Sequence, residues 1–221
     1  MEQLVDILEL RRRIPEEVFD YQTLLHALGE YGAPRNRIGA LLRRSYVLQV
    51  KRGLYVFAET LRKQPVPREW LSNLLHGPSY VSAQSAMQLY GMIPEQVTAT
   101  TAMCLGRGRA YQTSLGLFLY TQLPSVGYAV GVTWMEVHAK RVFIATPEKA
   151  IADAAWLASG AALRSAPDVE RLLLEDFRMD DSVFPTLRPS VLAAIRRSTT
   201  SRRVEFAMKT LQQWTGDARH A

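Results

Sequence analysis

The sequence has a single cysteine, Cys104, among its 221 residues. One cysteine excludes an internal disulfide and a cysteine-rich zinc site, and it suits a reducing cytoplasm. The chain also lacks an apolar run of membrane length, because its most apolar stretch, AIADAAWLASGAAL, is short and holds Asp153. At the N-terminus the arginines follow the apolar residues, which is the reverse of the order in a secretory signal. These absences predict a cytoplasmic protein with no membrane partner.

Patterns typical of catalysis and metal binding are absent as well. The histidines are scattered, and none pairs at metal-ligand spacing. Ser82 and Ser85 lack the context of a nucleophile elbow, and GRGR at 106–109 lacks the third glycine of a phosphate-binding loop. The acidic residues between 168 and 176 are expected to lie on the solvent-exposed side of a helix. We therefore expect no enzyme activity, no cofactor and no metal.

One polar group remains the best alternative for an active site: Glu148, Lys149 and Asp153, in the segment TPEKAIADAAWL. A simpler interpretation is a helix start with a Lys–Asp pair at i, i+4. Thr146 suits the N-cap, Pro147 the first helical position, and Glu148 the positive end of the helix.

The most informative absence is local. The 28 residues from Tyr31 to Ala58 contain no Asp or Glu, although the chain has 21 of them. The same stretch has six cations and is therefore +6, while residues 1–63 as a whole are +3 (11 Lys/Arg, 8 Asp/Glu). The chain is basic overall, at +6 with a pI near 9.6, which favours a polyanionic partner only weakly.

Two short helices are predicted in and before this stretch. Asp20 suits the N-cap of a helix over YQTLLHALGEY, and Gly32 is expected to end it. Pro34 suits the first turn of a second helix over about 34–44. At roughly 100° per residue, this second helix buries one stripe and turns the opposite face outward. The buried stripe is Ile38, Leu41 and Leu42, and the outward face is Asn36, Gly39, Ala40 and Arg43, flanked by Arg37 and Arg44.

A cationic hairpin is predicted next. Two β-rich runs, 46–50 and 54–57, are separated by Lys51, Arg52 and Gly53, and glycine permits the positive φ of a tight turn. Helix, turn, helix and hairpin is the order of a winged helix-turn-helix, whose second helix enters the major groove of DNA. Carboxylates on these elements would repel phosphates, which explains their absence. RNA is the nearest alternative, but the sequence shows no aromatic-rich sheet of the kind that stacks single-stranded bases.

The whole chain is predicted to have an α+β fold. An N-terminal winged helix-turn-helix domain, 1–64, precedes a larger mixed α/β domain, 65–221, with a linker over 62–70 and a mainly helical tail from about 165. Residues 1–14 are expected to add a helix through Leu4, Ile7 and Leu8, with Arg11–Arg13 able to reach the DNA backbone. The second domain is expected to contain helices over WLSNLLHG, SAQSAMQLYG (capped by Ser82) and TPEKAIADAAWLAS, and strands over VTATTAMCL, YQTSLGLFLYTQL and RVFIA, with GRGRA as a hairpin turn between the first two strands.

Several segments together resemble the AbiEi antitoxins of abortive-infection loci. They are FDYQTLLHAL, PRNRIGALLRRSYVLQVKRGLYVF, GPSYVSAQSAMQLYGMIPEQV and IATPEKAIADAAWL, which span about 18–157. The resemblance implies a type IV toxin–antitoxin system in which the antitoxin is encoded beside a nucleotidyltransferase-like toxin. It implies that the N-terminal domain represses the shared operon by binding promoter repeats, and that the C-terminal domain counters the toxin without a stable complex.

Carried over by position, the resemblance assigns the promoter contacts to Arg35, Asn36, Arg37, Arg43, Arg44, Lys51 and Arg52. One departure is the helix-to-hairpin junction, where Ser45 stands in a place that we expect to be glycine in the relatives. It makes the hairpin contacts less secure than the helix contacts. The partners implied are double-stranded promoter DNA and, functionally, the toxin.

Three functions remain to be separated. The first is an antitoxin and autorepressor, the second is a ligand-sensing transcriptional regulator with no toxin partner, and the third is an enzyme tethered to DNA. A nucleotidyltransferase-like neighbouring gene would favour the antitoxin, whereas a pocket converging on Glu148 and Asp153 would favour the enzyme.

A C-terminal basic cluster could contact toxin, RNA, promoter DNA or only solvent; it comprises Arg196, Arg197, Arg202, Arg203 and Lys209.

Overall fold

A computed structural model describes residues 6–29, 33–158 and 163–217, which combine α-helices and β-strands. Contacts divide the chain into an N-terminal unit, Met1–Pro67 with Tyr111–Gly116, and a C-terminal unit, Arg68–Ala110 with Leu117–Ala221. The division at Pro67 lies inside the segment predicted as the linker. The assignment of Tyr111–Gly116 to the first unit had no signal in the sequence. Within the described ranges, no helix is both long and apolar enough to cross a membrane.

The N-terminal unit alternates helices with a three-stranded antiparallel sheet of order β1-β3-β2. Its core combines apolar side chains from every element, among them Leu10, Leu24, Ile38, Val47 and Phe57. A short 3-10 helix, Glu59–Leu61, follows the last strand. The elements are α1 (Ile7–Arg13), β1 (Val18–Asp20), α2 (Tyr21–Ala27), α3 (Pro34–Arg43), β2 (Val47–Lys51) and β3 (Leu54–Phe57).

The helices predicted around residues 21–31 and 34–44 and the hairpin are confirmed as α2, α3 and β2–β3, although α2 ends at Ala27. In α1, which was expected from residues 1–14, Ile7 packs against the core as predicted, but the prediction is wrong for Leu8. Leu8 is 62% exposed, whereas Leu10 and Ile14 are buried in the core. Leu4 and Gly32 lie outside the described residues. The short sequence before residue 14 allows either of two sides of the helix to be the buried side. Packing against the core determines that the side with Leu10 and Ile14 is buried.

The C-terminal unit contains most of a sheet of order β6-β7-β5-β4-β9-β8, with parallel β5–β7 and β4–β9 pairs and antiparallel β4–β5 and β8–β9 pairs. Residues 111–113 of β6 and Gly116, the first residue of β7, are those that contacts assign to the N-terminal unit. Its core is built around Tyr80, Met103, Ile144 and Ile151. The elements up to residue 145 are α4 (Arg68–Leu75), β4 (Ser79–Val81), α5 (Ala83–Leu89), β5 (Ala99–Cys104), β6 (Arg109–Thr113), β7 (Gly116–Gln122), α6 (Ser125–Tyr128), β8 (Val132–Val137) and β9 (Lys140–Ala145).

The rest of this unit is helical, as the sequence predicts. Helix α7 is almost entirely buried, and the tail packs against it. These elements are α7 (Pro147–Leu157), α8 (Ala166–Glu170), a π-helix (Arg171–Asp176), a 3-10 helix (Asp181–Thr186), α9 (Pro189–Ser198) and α10 (Arg202–Asp217).

Three expectations about the sheet are corrected. The predicted single strand YQTSLGLFLYTQL is part of two strands, β6 and β7, separated at residues 114–115. GRGRA is no hairpin turn, because β7 lies between β5 and β6 in the sheet. Strands β4 and β8 were not predicted, since each is too short or too mixed in polarity to show a clear alternation.

Candidate nucleic-acid interface

Helix α3 is held by a left-handed residue at each end. Ala33, its N-cap residue, has φ 54°, and Pro34 occupies the first turn. At the other end Ser45 has φ 54°, and the amides of Ser45 and Tyr46 donate to the carbonyls of Leu42 and Leu41 over 3.0 and 3.1 Å. This is the geometry that glycine usually provides after a helix. Ser45 therefore adopts the conformation for which a glycine was expected, and the chain turns directly into β2.

The two sides of α3 differ as the sequence predicts. Ile38 and Leu41 are buried in the core of the unit, and Leu42 is half-buried. Among the predicted DNA contacts, Arg37 is half-buried, and the others on this helix and its C-cap are exposed: Arg35, Asn36, Arg43 and Arg44. Asn36 and Arg43 thus share the face opposite the buried stripe, with Arg35 on one flank and Arg37 and Arg44 on the other, and no acidic residue lies in the same stretch.

Gly39, at the centre of the outward face, lies close to the Arg43 side chain, a contact that helical periodicity did not predict. A methyl group added at Gly39 would lie 3.3 Å from Nη1 of Arg43. The Arg43 side chain therefore folds back across Gly39. Glycine here leaves room for a guanidinium, which can also extend toward a base edge.

The hairpin places its two predicted contacts in different environments. Arg52 is exposed at the turn, whereas Lys51 is half-buried, and this partial burial lowers the pKa of its ammonium group. A bulge between Gln49 and Lys51 shifts the register just before the turn. Gly53 has φ 82°, and its carbonyl accepts the amide of Tyr21 over 3.1 Å. Neither cation belongs to the core, but Lys51 is the last residue of β2, and of the two only Arg52 is exposed at the turn.

Of the three arginines of α1, Arg11 does not add to this basic surface. Arg11 is buried and donates to Glu17 over 2.6 Å. Arg12 and Arg13 each pair with Glu9 at 3.1 Å. The expectation that all three can reach DNA is wrong for Arg11, because a buried ion pair occupies its guanidinium.

Sequence reasoning missed three exposed polar or aromatic side chains beside the predicted contacts. Ser45 and Tyr46 lie exposed between α3 and β2, and Gln49 is exposed in β2. The alternation of buried Val47 and exposed Gln49 was a usable signal for the last of these. The candidate interface is therefore α3, its junction with β2, and the turn at Arg52.

The polar group of α7 forms two separate clusters. Lys149 Nζ lies 3.1 Å from Asp153 Oδ1, which confirms the predicted i, i+4 pair, and donates to the Gly127 carbonyl over 2.8 Å. Tyr80 and Ser82 donate to Asp153 Oδ2 over 2.9 and 2.7 Å. Ser82 therefore does not cap α5 with its side chain as predicted. Burial raises the pKa of Asp153, against the opposing effects of Lys149 and both hydroxyl groups.

Glu148 faces a different partner. Its carboxylate accepts the Arg188 amide over 2.8 Å and the Arg188 guanidinium over 3.0 and 3.1 Å. Burial acts to raise the pKa of Glu148, but the hydrogen bonds from Arg188 lower it, and the net shift is downward. A cavity of about 20 Å³, room for a single water molecule, is lined by Lys149 and Asp153 but not by Glu148. The two acidic side chains therefore do not converge on one pocket.

Two other polar residues considered in the sequence analysis, Asp168 and Arg203, form hydrogen bonds within the fold. Asp168 forms a capping box with Ser165 at the start of α8. Arg203 donates to the carbonyls of Ala158 and Trp156, while Arg197 and Arg202 are exposed. Across residues 6–29, 33–158 and 163–217, no group of three or more His, Cys, Asp or Glu side chains is arranged to hold a metal ion.

Comparison with known proteins adds a shared fold. No protein-family model matches this sequence, and no curated protein matches it. Among solved structures, the chain is similar to the RV2827C protein from Mycobacterium tuberculosis, with a TM-score of 0.61 and 16% sequence identity. The match covers 96% of this chain and 78% of that one. At this identity the likeness shows the fold alone.

Proposed function

We propose that this chain is the antitoxin and autorepressor of an AbiE-type toxin–antitoxin system. In this proposal the N-terminal unit is a winged helix-turn-helix that binds double-stranded promoter DNA in the cytoplasm. The C-terminal unit counters a nucleotidyltransferase-like toxin without a stable complex. The chain itself has no enzymatic role and uses no cofactor.

One observation carries the DNA-binding part of the proposal. The face of α3 opposite its buried stripe exposes Asn36 and Arg43, Arg35 is exposed on its flank, and no acidic residue occurs between 31 and 58. A helix of this kind fits the major groove, where arginine pairs with guanine and asparagine with adenine. The order α2, α3 and then the β2–β3 hairpin supports the same assignment.

We assign the predicted contact residues to two parts of the DNA, the base edges and the phosphates. Asn36 and Arg43, near the middle of the outward face, are assigned to base edges. Arg44 and Arg52, at the end of the helix and at the hairpin turn, are assigned to phosphates, together with Arg35, Arg37 and Lys51. Only the first group then contributes to sequence specificity.

Binding to the chain's own promoter tests these assignments. Asn36→Ala and Arg43→Ala should each weaken promoter binding by about 1–3 kcal/mol and change binding to random DNA little. Arg52→Ala should weaken both DNAs and reduce the slope of log affinity against log salt by about 0.9. Arg178→Ala, on an exposed and ion-paired side chain of the C-terminal unit, is the control. Equal losses on both DNAs for Asn36→Ala would show that α3 only positions the protein.

Co-expression with the neighbouring gene product tests the antitoxin part. The triple variant Arg37→Ala, Arg43→Ala, Arg44→Ala should lose promoter binding and still rescue growth, as should residues 65–221 expressed alone. Loss of rescue by the folded triple variant would show that DNA binding and neutralisation are one function. A neighbouring gene unrelated to nucleotidyltransferases would instead favour the ligand-sensing regulator.

A further inference from the structure

Strand β8 forms one edge of the large sheet, and in the part of the chain that the structure describes no strand pairs with its outer side. Its sequence, VTWMEV, has none of the features that usually protect a sheet edge. It contains no proline, lysine or arginine, and it pairs with β9 along its whole length without a bulge. An edge of this kind is a template on which another strand can pair.

The register with β9 determines which backbone groups face this edge. Trp134 and Phe143 are direct partners, and the Asn73 side chain binds the amide and the carbonyl of Phe143 over 2.8 and 3.3 Å from the side away from β8. Facing residues of an antiparallel pair exchange both hydrogen bonds or neither. The amide and carbonyl of Trp134 therefore point to the open edge. The Val132 amide points outward too, since it donates to the Ala129 carbonyl over 3.3 Å.

Two exposed aromatic side chains lie beside this edge. Trp134 is 54% exposed and Phe143 is 55% exposed, and as register partners they project from the same face of the sheet. The charged side chains that β8 and β9 place on that face are Glu136 and Arg141, which are register partners of each other. The face therefore combines an aromatic pair with a balanced pair of charges, and two copies of it do not repel each other.

We propose that the β8 edge pairs with the β8 edge of a second copy of this chain, antiparallel and about a two-fold axis at Trp134. The two Trp134 residues then exchange two backbone hydrogen bonds across the axis. The amide of Glu136, which faces outward by the same alternation, donates to the carbonyl of the partner's Val132. On one face of the joined sheets the four exposed rings form a single row, with the two Trp134 rings at its centre and a Phe143 ring at each end.

A second copy fits this edge because the surface complements itself. A two-fold contact joins the same patch of both subunits, and here open amides meet open carbonyls, rings meet rings, and each Glu136 faces a valine instead of another carboxylate. A fully enclosed aromatic side chain buries about 150–250 Å², so the exposed parts of the four rings offer about 300–500 Å². This area suits a small interface, below about 1,200 Å² in total, and hence a dimer that forms only at high protein concentration. The inference does not depend on promoter binding or on a toxin.

Sedimentation velocity of the full-length chain, between about 1 and 300 μM, tests the proposal in the range of weak interfaces. The unaltered chain should change from monomer to dimer as its concentration rises. Trp134→Lys and Trp134→Glu should each raise the dissociation constant at least about tenfold, because each removes the central rings and places like charges opposite each other at the axis. Trp134→Phe should retain most of the affinity. Val126→Lys, at a 62% exposed position outside the hairpin, is the matched control.

Mixing the two charge variants tests the position of the axis. An equimolar mixture of Trp134→Lys and Trp134→Glu in low salt should dimerise more strongly than either variant alone, because a lysine of one copy then faces a glutamate of the other. That gain, together with the losses in the separate variants, supports the proposal. A chain that stays monomeric over the whole range overturns it, as does a dimer that Trp134→Lys leaves intact or that Val126→Lys weakens equally. A mixture that dimerises no better than its components places residue 134 away from the axis and overturns it too.

Discussion

Arg11 is the buried cation that ties together the start and end of the N-terminal unit, and replacing it with methionine tests that role. Its guanidinium donates to Glu17 over 2.6 Å, to the Leu61 carbonyl over 3.1 Å and to the Pro15 carbonyl over 3.0 Å. It also lies 4.7 Å from the centroid of the Phe57 ring. The same carboxylate oxygen of Glu17 accepts the amides that follow the short 3-10 helix.

The expected loss follows from burial on both sides of the pair. The side chains of Arg11 and Glu17 are only 6% and 10% exposed, and breaking a buried ion pair by removing one partner costs about 3–5 kcal/mol. A unit of this size has a total stability of about 3–10 kcal/mol, at about 0.05–0.15 kcal/mol per residue. Arg11→Met should therefore remove much of the stability of the N-terminal unit. Arg12→Met should cost less than about 0.5 kcal/mol, since Arg12 is 72% exposed and pairs at i, i+3.

Hydrogen exchange followed by mass spectrometry measures the effect where it occurs. Protection of peptides between residues 18 and 57 should fall sharply in Arg11→Met and stay unchanged in Arg12→Met. All four tryptophans lie in the C-terminal unit, so their fluorescence reports separately whether that unit remains folded. Adding Glu17→Gln should restore part of the protection, because it removes the unpaired buried charge and keeps an acceptor for the two amides. Equal protection in Arg11→Met and Arg12→Met would refute the reasoning.

Three further changes test individual features. Ser45→Gly should raise the urea midpoint of the N-terminal unit by the equivalent of about 0.5–1 kcal/mol, because it relieves a left-handed serine; a lower midpoint by circular dichroism would contradict this. Gly39→Ala should stabilise α3 by up to about 1 kcal/mol. Gly39→Gln should keep the fold but weaken promoter binding at least tenfold, as measured by fluorescence anisotropy. Unchanged affinity would show that α3 does not approach the groove closely. Glu148 has a lowered pKa, so its contribution to stability is complete above about pH 4.3 and is lost as pH falls through the folded-state pKa. Arg188→Gln removes the guanidinium bonds, which lower this pKa more than the amide bond from the same residue does. Tryptophan fluorescence should therefore show acid unfolding at higher pH than in the unaltered chain, and an unchanged midpoint would be evidence against it.

Local signals in the sequence were sufficient for much of the N-terminal unit. Asp20 accepts the Thr23 amide over 2.7 Å as the N-cap of α2, and the hydrogen bond from that backbone amide lowers the pKa of its carboxyl group. Ile38 and Leu41 are buried at the spacing that predicted them. Caps and helical periodicity depend on residues only a few positions apart, so a single sequence contains them.

Contacts over long sequence separations were not predictable in the same way. Ser82 looks like a helix cap, yet its hydroxyl donates to Asp153 in α7. Trp134 and Phe143 are exposed and are partners in the register of β8 and β9. Only β9 of these two strands was predicted, so this pair of aromatic side chains was missed. Register determines which side chains meet across two strands, and a single-residue shift would send Trp134 to the other face.

The structure also changes what the positive charge of the chain means. A net charge of +6 is weak evidence for a polyanionic partner as long as every cation counts equally. Arg11 and Lys149 are buried in ion pairs, and Arg203 donates to the carbonyls at the end of α7, so these cations serve the fold. Exposed cations occur in both units, among them Arg12, Arg197 and Arg202, but those of α3 and of the hairpin turn lie in a stretch that has no carboxylate. DNA binding is therefore supported by the position of the cations that the fold does not use. Asn36→Ala tests whether α3 distinguishes base sequences or only attracts phosphates.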